Sequence, residues 1–175
     1  MYDSQGEYDK AKPLYERSLA IWEKVHGKEH LSVATSLNNL ALLHSSQGNY
    51  DQAKPLYERS LAIKEKVFGP EHPSVATSLN NLAALHQAQG DYEQAKPLYE
   101  RALAIWEKVF GKEHPDVALT IWHLAVWYKQ QNQYEKAKEL YEKALNIYNK
   151  FFEPDHPYVR MCTENYNDLL SKMDK

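Results

Sequence analysis

The sequence predicts an all-α fold of antiparallel helix pairs stacked in a row, and three observations carry that prediction. Pro73–His114 overlays Leu31–His72 with 33 of 42 positions identical, and Pro115–His156 follows the same template more loosely. A fixed period in this range marks a repeat array whose units share one continuous core. Inside each unit the apolar residues recur at three- and four-residue steps, the spacing of a helix face. The punctuation keeps the same period: Tyr8, Tyr50, Tyr92 and Tyr134; Ala11, Ala53, Ala95 and Ala137; His30, His72, His114 and His156.

The central unit shows how each pair is built. Val75, Ala76, Leu79, Leu82, Ala83 and His86 share one face of a first helix, A. Pro73 suits its first position, where a missing N–H costs nothing. Gly90 is placed to end it in the left-handed conformation. Asp91 with Gln94 resembles a capping box opening a second helix, B. Tyr92, Ala95, Leu98, Tyr99, Ala102, Leu103, Ile105, Val109 and Phe110 line helix B, and Gly111 stops it. Pro13, Pro55 and Pro97 break a local rule: near the sixth residue of helix B each removes a backbone hydrogen bond and is expected to bend the helix. Glu139 stands there in the fourth unit.

The chain thus divides into a partial repeat over 1–30, holding helix B only, repeats over 31–72, 73–114 and 115–156, and a C-terminal capping helix over 157–175. Seven main helices are expected, in the order B-A-B-A-B-A and then a cap-like A, with no strand. Met1–Gly6 reads as the tail of a helix A. Ala11, Leu14 and Tyr15 of the first helix B are therefore expected to form an exposed apolar patch, of the kind that monomers avoid. A homodimer through this N-terminal helix, with two-fold symmetry, is the implied association. In the last helix Arg160 and Asn167 replace the alanines of internal units (Ala34, Ala76 and Ala118; Ala41, Ala83 and Ala125). Bulky polar residues block close helix approach, so the C-terminus reads as a genuine end that disfavours head-to-tail stacking.

Composition excludes several classes of function. The 175 residues carry a net charge of −3 with interspersed signs, which gives no footprint for nucleic acid or an anionic membrane. No apolar run approaches the ~18 residues that span a bilayer, and no signal-peptide pattern opens the chain. One cysteine, Cys162, excludes an internal disulfide. A cytoplasmic location is expected. No phosphate-binding loop, dinucleotide fingerprint or nucleophile elbow is present, and no base converges on a nucleophile. The loop histidines recur once per repeat, too far apart to share an ion, and are expected to hydrogen-bond backbone at helix starts. His26 and His30 are separated by the helix break at Gly27. His44 and His86 read as core histidines. No enzyme, metal site or cofactor is expected.

The unit L-x-x-L-A-x-x-H, Q-G-x-Y-x-x-A, L-Y-E-R-x-L resembles a tetratricopeptide repeat. The 42-residue period and the E-H-P loop resemble the version found in kinesin light chains and in many bacterial repeat proteins. The resemblance covers nearly the whole chain. It implies a right-handed superhelix whose A helices line a concave groove that receives peptides.

The candidate site is the face of helix A opposite the core. It presents Thr35, Asn38, Asn39, Leu42 and Ser45; then Thr77, Asn80, Asn81, Ala84 and Gln87; then Leu119, Trp122, His123, Val126 and Lys129. Propensity does not favour paired asparagines in mid-helix. A carboxamide, however, matches both groups of a peptide bond. A ladder of amides about 10 Å apart would meet an extended peptide at every third residue, at about 3.3 Å per residue. The resemblance implies that Asn39, Asn81 and, in the last helix, Asn165 hold ligand backbone or carboxylate. The competing reading is that one asparagine of each pair braces the neighbouring helix or is only solvated. Trp122 either anchors a ligand side chain or packs against the capping helix. Trp22 and Trp106 share a helix B position with Lys64 and Tyr148, which suggests a partly exposed second contact surface. The function expected is a scaffold that binds an extended peptide segment of a partner protein. The alternative is a structural module that oligomerises through its N-terminal end.

Overall fold

In the computed structural model, residues 8–173 are described, and every element among them is an α-helix: α1 (Tyr8–His26), α2 (Leu31–Ser46), α3 (Tyr50–Phe68), α4 (Pro73–Ala88), α5 (Tyr92–Phe110), α6 (Pro115–Gln130), α7 (Tyr134–Phe151) and α8 (Pro157–Met173). Eight helices stand where seven were expected. The order B-A-B-A-B-A plus cap leaves out α7, the helix B of the 115–156 repeat. Its Ala137, Tyr141, Ala144, Ile147 and Tyr148 keep the buried spacing of the other B helices. The helix A tail expected over Met1–Gly6 lies outside the described residues.

The helices fall into two compact units, Met1–Gly90 and Asp91–Lys175. In the first, α2 packs on both α1 and α3, and α3 packs on α4. Val33, Ala34 and Leu37 of α2 enclose Ile63 of α3, with Leu19 and Leu56 at the margin. Ala34 is fully buried, and the small side chain brings α3 close enough for Ser60 Oγ to donate to its carbonyl at 2.7 Å. On the other side Leu40 and Leu43 enclose Ala11 of α1, with Tyr15 beside them.

In the second unit α6 packs on α5 and α7, α7 on α8, and α6 also touches α8. Its core holds Tyr99, Ile121, Tyr141, Tyr148 and Leu169, each fully buried. Trp127 stands where α2 and α4 have Leu43 and Leu85, and its Nε1 donates to the Tyr92 carbonyl at 2.9 Å.

The A helices begin alike. The loop histidine, extended in backbone at His30, His72 and His114, has an Nδ1 that accepts the N–H two residues on: Ser32 on His30, Ser74 on His72, Asp116 on His114 and Tyr158 on His156, at 3.1–3.3 Å. This satisfies one of the donors a helix start leaves open. The ring four residues earlier stacks on each cap, with centroids 4.2 Å apart for His26–His30, 4.1 Å for Phe68–His72, 4.4 Å for Phe110–His114 and 3.9 Å for Phe152–His156. At the far end of helix A a left-handed residue turns the chain, Gly90 at φ +79° after α4 and Asn132 at φ +57° after α6. Asparagine tolerates this region better than other side chains.

Ion pairs then link successive B helices and loops. Arg59 on α3 meets Glu23 on α1 at 2.6 Å, and Lys66 meets Glu29. In the second unit Lys143 meets Glu107 at 3.9 Å and Lys150 meets Glu113 at 2.7 Å.

Candidate functional site

In the first unit, α2 and α4 leave one face open. Thr35 and Thr77 are exposed on it, each donating its hydroxyl to its own helix, at Leu31 and Pro73. Asn38 and Asn81 are half-buried and joined, Asn81 Nδ2 donating to Asn38 Oδ1 at 3.0 Å. Asn39 is half-buried as well, and Leu42 beside it is 49% exposed. Asn80, at the repeat position of Asn38, is only 6% exposed. The asparagines therefore divide. Asn38 and Asn81 brace the two helices against each other, Asn80 lies inside, and Asn39 keeps its carboxamide at the surface.

The equivalent face of α6 in the second unit is aromatic. Trp122 is 7% exposed, with its Nε1 buried and without an acceptor, so most of the ring packs inside the unit. His123 is half-buried, its ring centroid 5.4 Å from that of Tyr99 and 5.7 Å from that of Trp122. Desolvation among these rings pushes its pKa down to about 4, so the imidazole is neutral near pH 7. Tyr128 lies between two ammonium groups, Lys96 at 5.6 Å and Lys136 at 5.5 Å from the ring centroid. Asn165 on α8 donates to its own helix at Met161.

Two expectations are corrected. The position shared by Trp22, Lys64, Trp106 and Tyr148 is not an exposed surface throughout: Trp106 and Tyr148 are 7% and 0% exposed. Lysine fits there because the Ser78 hydroxyl, itself buried, accepts the Lys64 ammonium at 2.8 Å. The apolar patch on α1 is also composed differently. Ala11 is 4% exposed and packs with half-buried Tyr15 against α2; of the three expected residues only Leu14 is open, and Ile21 and Trp22 join it. Helix B carries two apolar stripes, one for each neighbouring helix A, and Ala11 and Tyr15 belong to the stripe that α2 covers. His44 and His86 are buried, 4% and 5% exposed, as expected of core histidines. Among the described residues no group of three or more metal-ligating side chains converges.

Sequence reasoning missed the stacking of a ring on each histidine cap. The signal was present as a constant four-residue spacing of ring to histidine across the end of helix B.

Helix pairs repeating every 42 residues around a seam of buried alanines, with one face left open, define an α-helical repeat protein. The tetratricopeptide repeat family pattern matches residues 1–66, 44–102, 74–150 and 123–174. The chain belongs to that family. Its solved relatives include a kinesin-light-chain-type protein of nearly identical TPR-like repeats from Podosopora anserina, 30% identical, with 97% of this chain covering 81% of that one at a TM-score of 0.78. A point-substituted form of that relative matches at 0.79 over 97% of this chain and 80% of that one, also 30% identical. BtubC (BKLC) from P. vanneervenii shares the fold, with a TM-score of 0.78 at 22% identity over 99% of this chain and 77% of that one. No curated protein matches the chain significantly. Tetratricopeptide repeats generally mediate protein–protein interaction, and such scaffolds are typically non-enzymatic. No helix among the described residues is long and apolar enough to cross a membrane.

Proposed function

We propose that the open face of α2 and α4 binds an extended segment of a partner protein, and that Asn39 and Asn81 bond the partner's main chain. The observation that carries this reading is Asn39. It sits in mid-helix, where propensity disfavours it, and its donor and acceptor are left available at the surface beside an exposed leucine. Asn81 spends one N–H on Asn38 and retains its carbonyl oxygen as an acceptor. Thr35, Thr77 and Asn38 border these groups, and the face carries no formal charge. A neutral main chain with an apolar side chain against Leu42 is the matching ligand. Trp122 and His123 mark the corresponding face of the second unit; their burial limits them to an edge contact.

Selection of a random peptide library against the protein tests this. Asn39→Ala should keep or raise the melting temperature, since alanine gains up to about 0.7 kcal/mol of propensity. It should weaken selected peptides about tenfold, because a ligand amide buried without a partner costs about 1–3 kcal/mol. Asn81→Ala should weaken binding too, but with some loss of stability from the Asn38 bond. Equal binding by Asn39→Ala and the parent protein would sink the reading.

A second reading, assembly through α1, is favoured by the exposure of Leu14, Ile21 and Trp22 at 54%, 47% and 37%. Two copies meeting at this face about a two-fold axis would bury it. Sedimentation of the protein and of Ile21→Glu tests that form.

A further inference from the structure

The repeats themselves show what a helix B face of this kind accepts. Ile21 of α1, Ile63 of α3, Ile105 of α5 and Ile147 of α7 occupy one repeat position, yet Ile21 is 47% exposed and the others 5%, 5% and 3%. Val25 is not part of the anomaly, because its counterparts Val67 and Val109 are open as well, at 48% and 44%. What is specific to α1 is the stripe of Leu14, Ser18, Ile21 and Trp22, which with Arg17 lines a depression of about 230 Å³.

On α3 the counterparts Leu56, Ser60 and Ile63 are covered by α2, whereas Lys64, at the position of Trp22, reaches Ser78 on α4; the cover by α2 has a definite chemistry. Val33, Ala34 and Leu37 enclose Ile63, and Ala34 is small enough for Ser60 to reach its carbonyl. The flanking cations are matched as well. Arg59 takes the Glu23 carboxylate at 2.6 Å and the Lys28 carbonyl at 3.2 Å, and Lys66 takes Glu29. On α1 the counterparts are Arg17 and Lys24, both exposed, and neither meets a carboxylate among the described residues. A second α1 brought face to face would add two more cations, while its Glu23 is already held by Arg59.

Resting on the reading of α1 as an assembly face, we infer that its partner is a helical hairpin of another polypeptide with the pattern Glu-x5-Glu-x3-Val-Ala-x2-Leu. The pattern is the one this chain presents from Glu23 to Leu37. The valine and leucine bury Ile21 and Leu14, the alanine admits Ser18, and the two carboxylates meet Arg17 and Lys24. Burial of the apolar stripe supplies the attraction, and the ion pairs set the register.

The probe is a synthetic peptide with the sequence of residues 23–47, titrated into the full chain. Trp22 reports binding, because Trp106, Trp122 and Trp127 are 7%, 7% and 6% exposed. Saturable quenching or shift of its emission is expected, absent from Trp22→Phe. Ile21→Glu in the protein and Ala34→Arg in the peptide should each weaken binding at least about tenfold. Glu23→Gln with Glu29→Gln in the peptide should weaken it less, in a salt-dependent way. Asn39→Ala should leave it unchanged, which separates this face from the one on α2 and α4. Binding that survives Ile21→Glu overturns the inference. So does a dimer that Ile21→Glu dissolves and the peptide leaves intact, although assembly through α1 then stands. A monomer that ignores the peptide up to about 1 mM, a level where interactions are worth only ~4 kcal/mol, overturns both.

Discussion

Lys64 and His123 show how far a single residue can depart from its repeat position before the fold must compensate. Lys64 takes a place given elsewhere to Trp22, Trp106 and Tyr148, and the buried Ser78 hydroxyl accepts its ammonium. Burial still holds its pKa below the usual lysine value. Composition at that position pointed to an exposed surface, since lysine is rarely enclosed. The bond that overrides the rule joins two helices and has no local signature in the sequence. His123 replaces the asparagine of the other open faces, and its surroundings keep it uncharged. Its pKa in the fold is about 4 against 6.5 for a free imidazole, so between those values the unfolded chain binds the extra proton. The stability this neutral ring contributes is full above pH 6.5 and is lost as pH falls towards 4. His123→Asn should therefore unfold with less acid sensitivity than the parent chain. The difference in unfolding free energy should reach up to about 2 kcal/mol between pH 6.5 and 5, read from urea midpoints. Parallel pH profiles would refute this account.

At the scale of an element, α7 carries an uncompensated cost. The hydroxyls of Tyr141 and Tyr148 are buried without a partner, close to the thiol of Cys162, which burial pushes up to about 12. An unpaired buried hydroxyl costs about 1–3 kcal/mol. Tyr148→Phe should therefore hold or raise the melting temperature, and Tyr141→Phe likewise; a drop of several degrees in calorimetry would mean that these oxygens are bonded after all. Helix boundaries were legible at the caps, where Pro73 opens α4 and Gly111 closes α5, because such caps are local, while the expected count of seven left out α7. The open face of α1 was legible only in part. Hydrophobic spacing marks a residue as apolar without saying which neighbour covers it, so Ala11 and Tyr15 could not be separated from Ile21 and Trp22. The same limit applies to Asn38, Asn39, Asn80 and Asn81. Their position on helix A was readable, while the Asn38–Asn81 bond depends on the spacing of two helices.

Across the whole molecule one joint recurs. Each helix A starts on a histidine whose Nδ1 accepts a backbone N–H, with a ring stacked on it, at His30, His72, His114 and His156. A backbone N–H can only donate, so each Nδ1 must be bare and the proton must sit on Nε2. The four imidazoles are thereby held in one tautomer by the fold, whereas in an unfolded chain each exchanges between both forms. Imidazole nitrogen shifts in a magnetic resonance spectrum distinguish those conditions. Repeat arrays open as a chain of nearest neighbours rather than all at once. This protein therefore carries its own spectroscopic gauge, one calibrated mark per repeat, from which the order of opening along the array can be read without attaching a label.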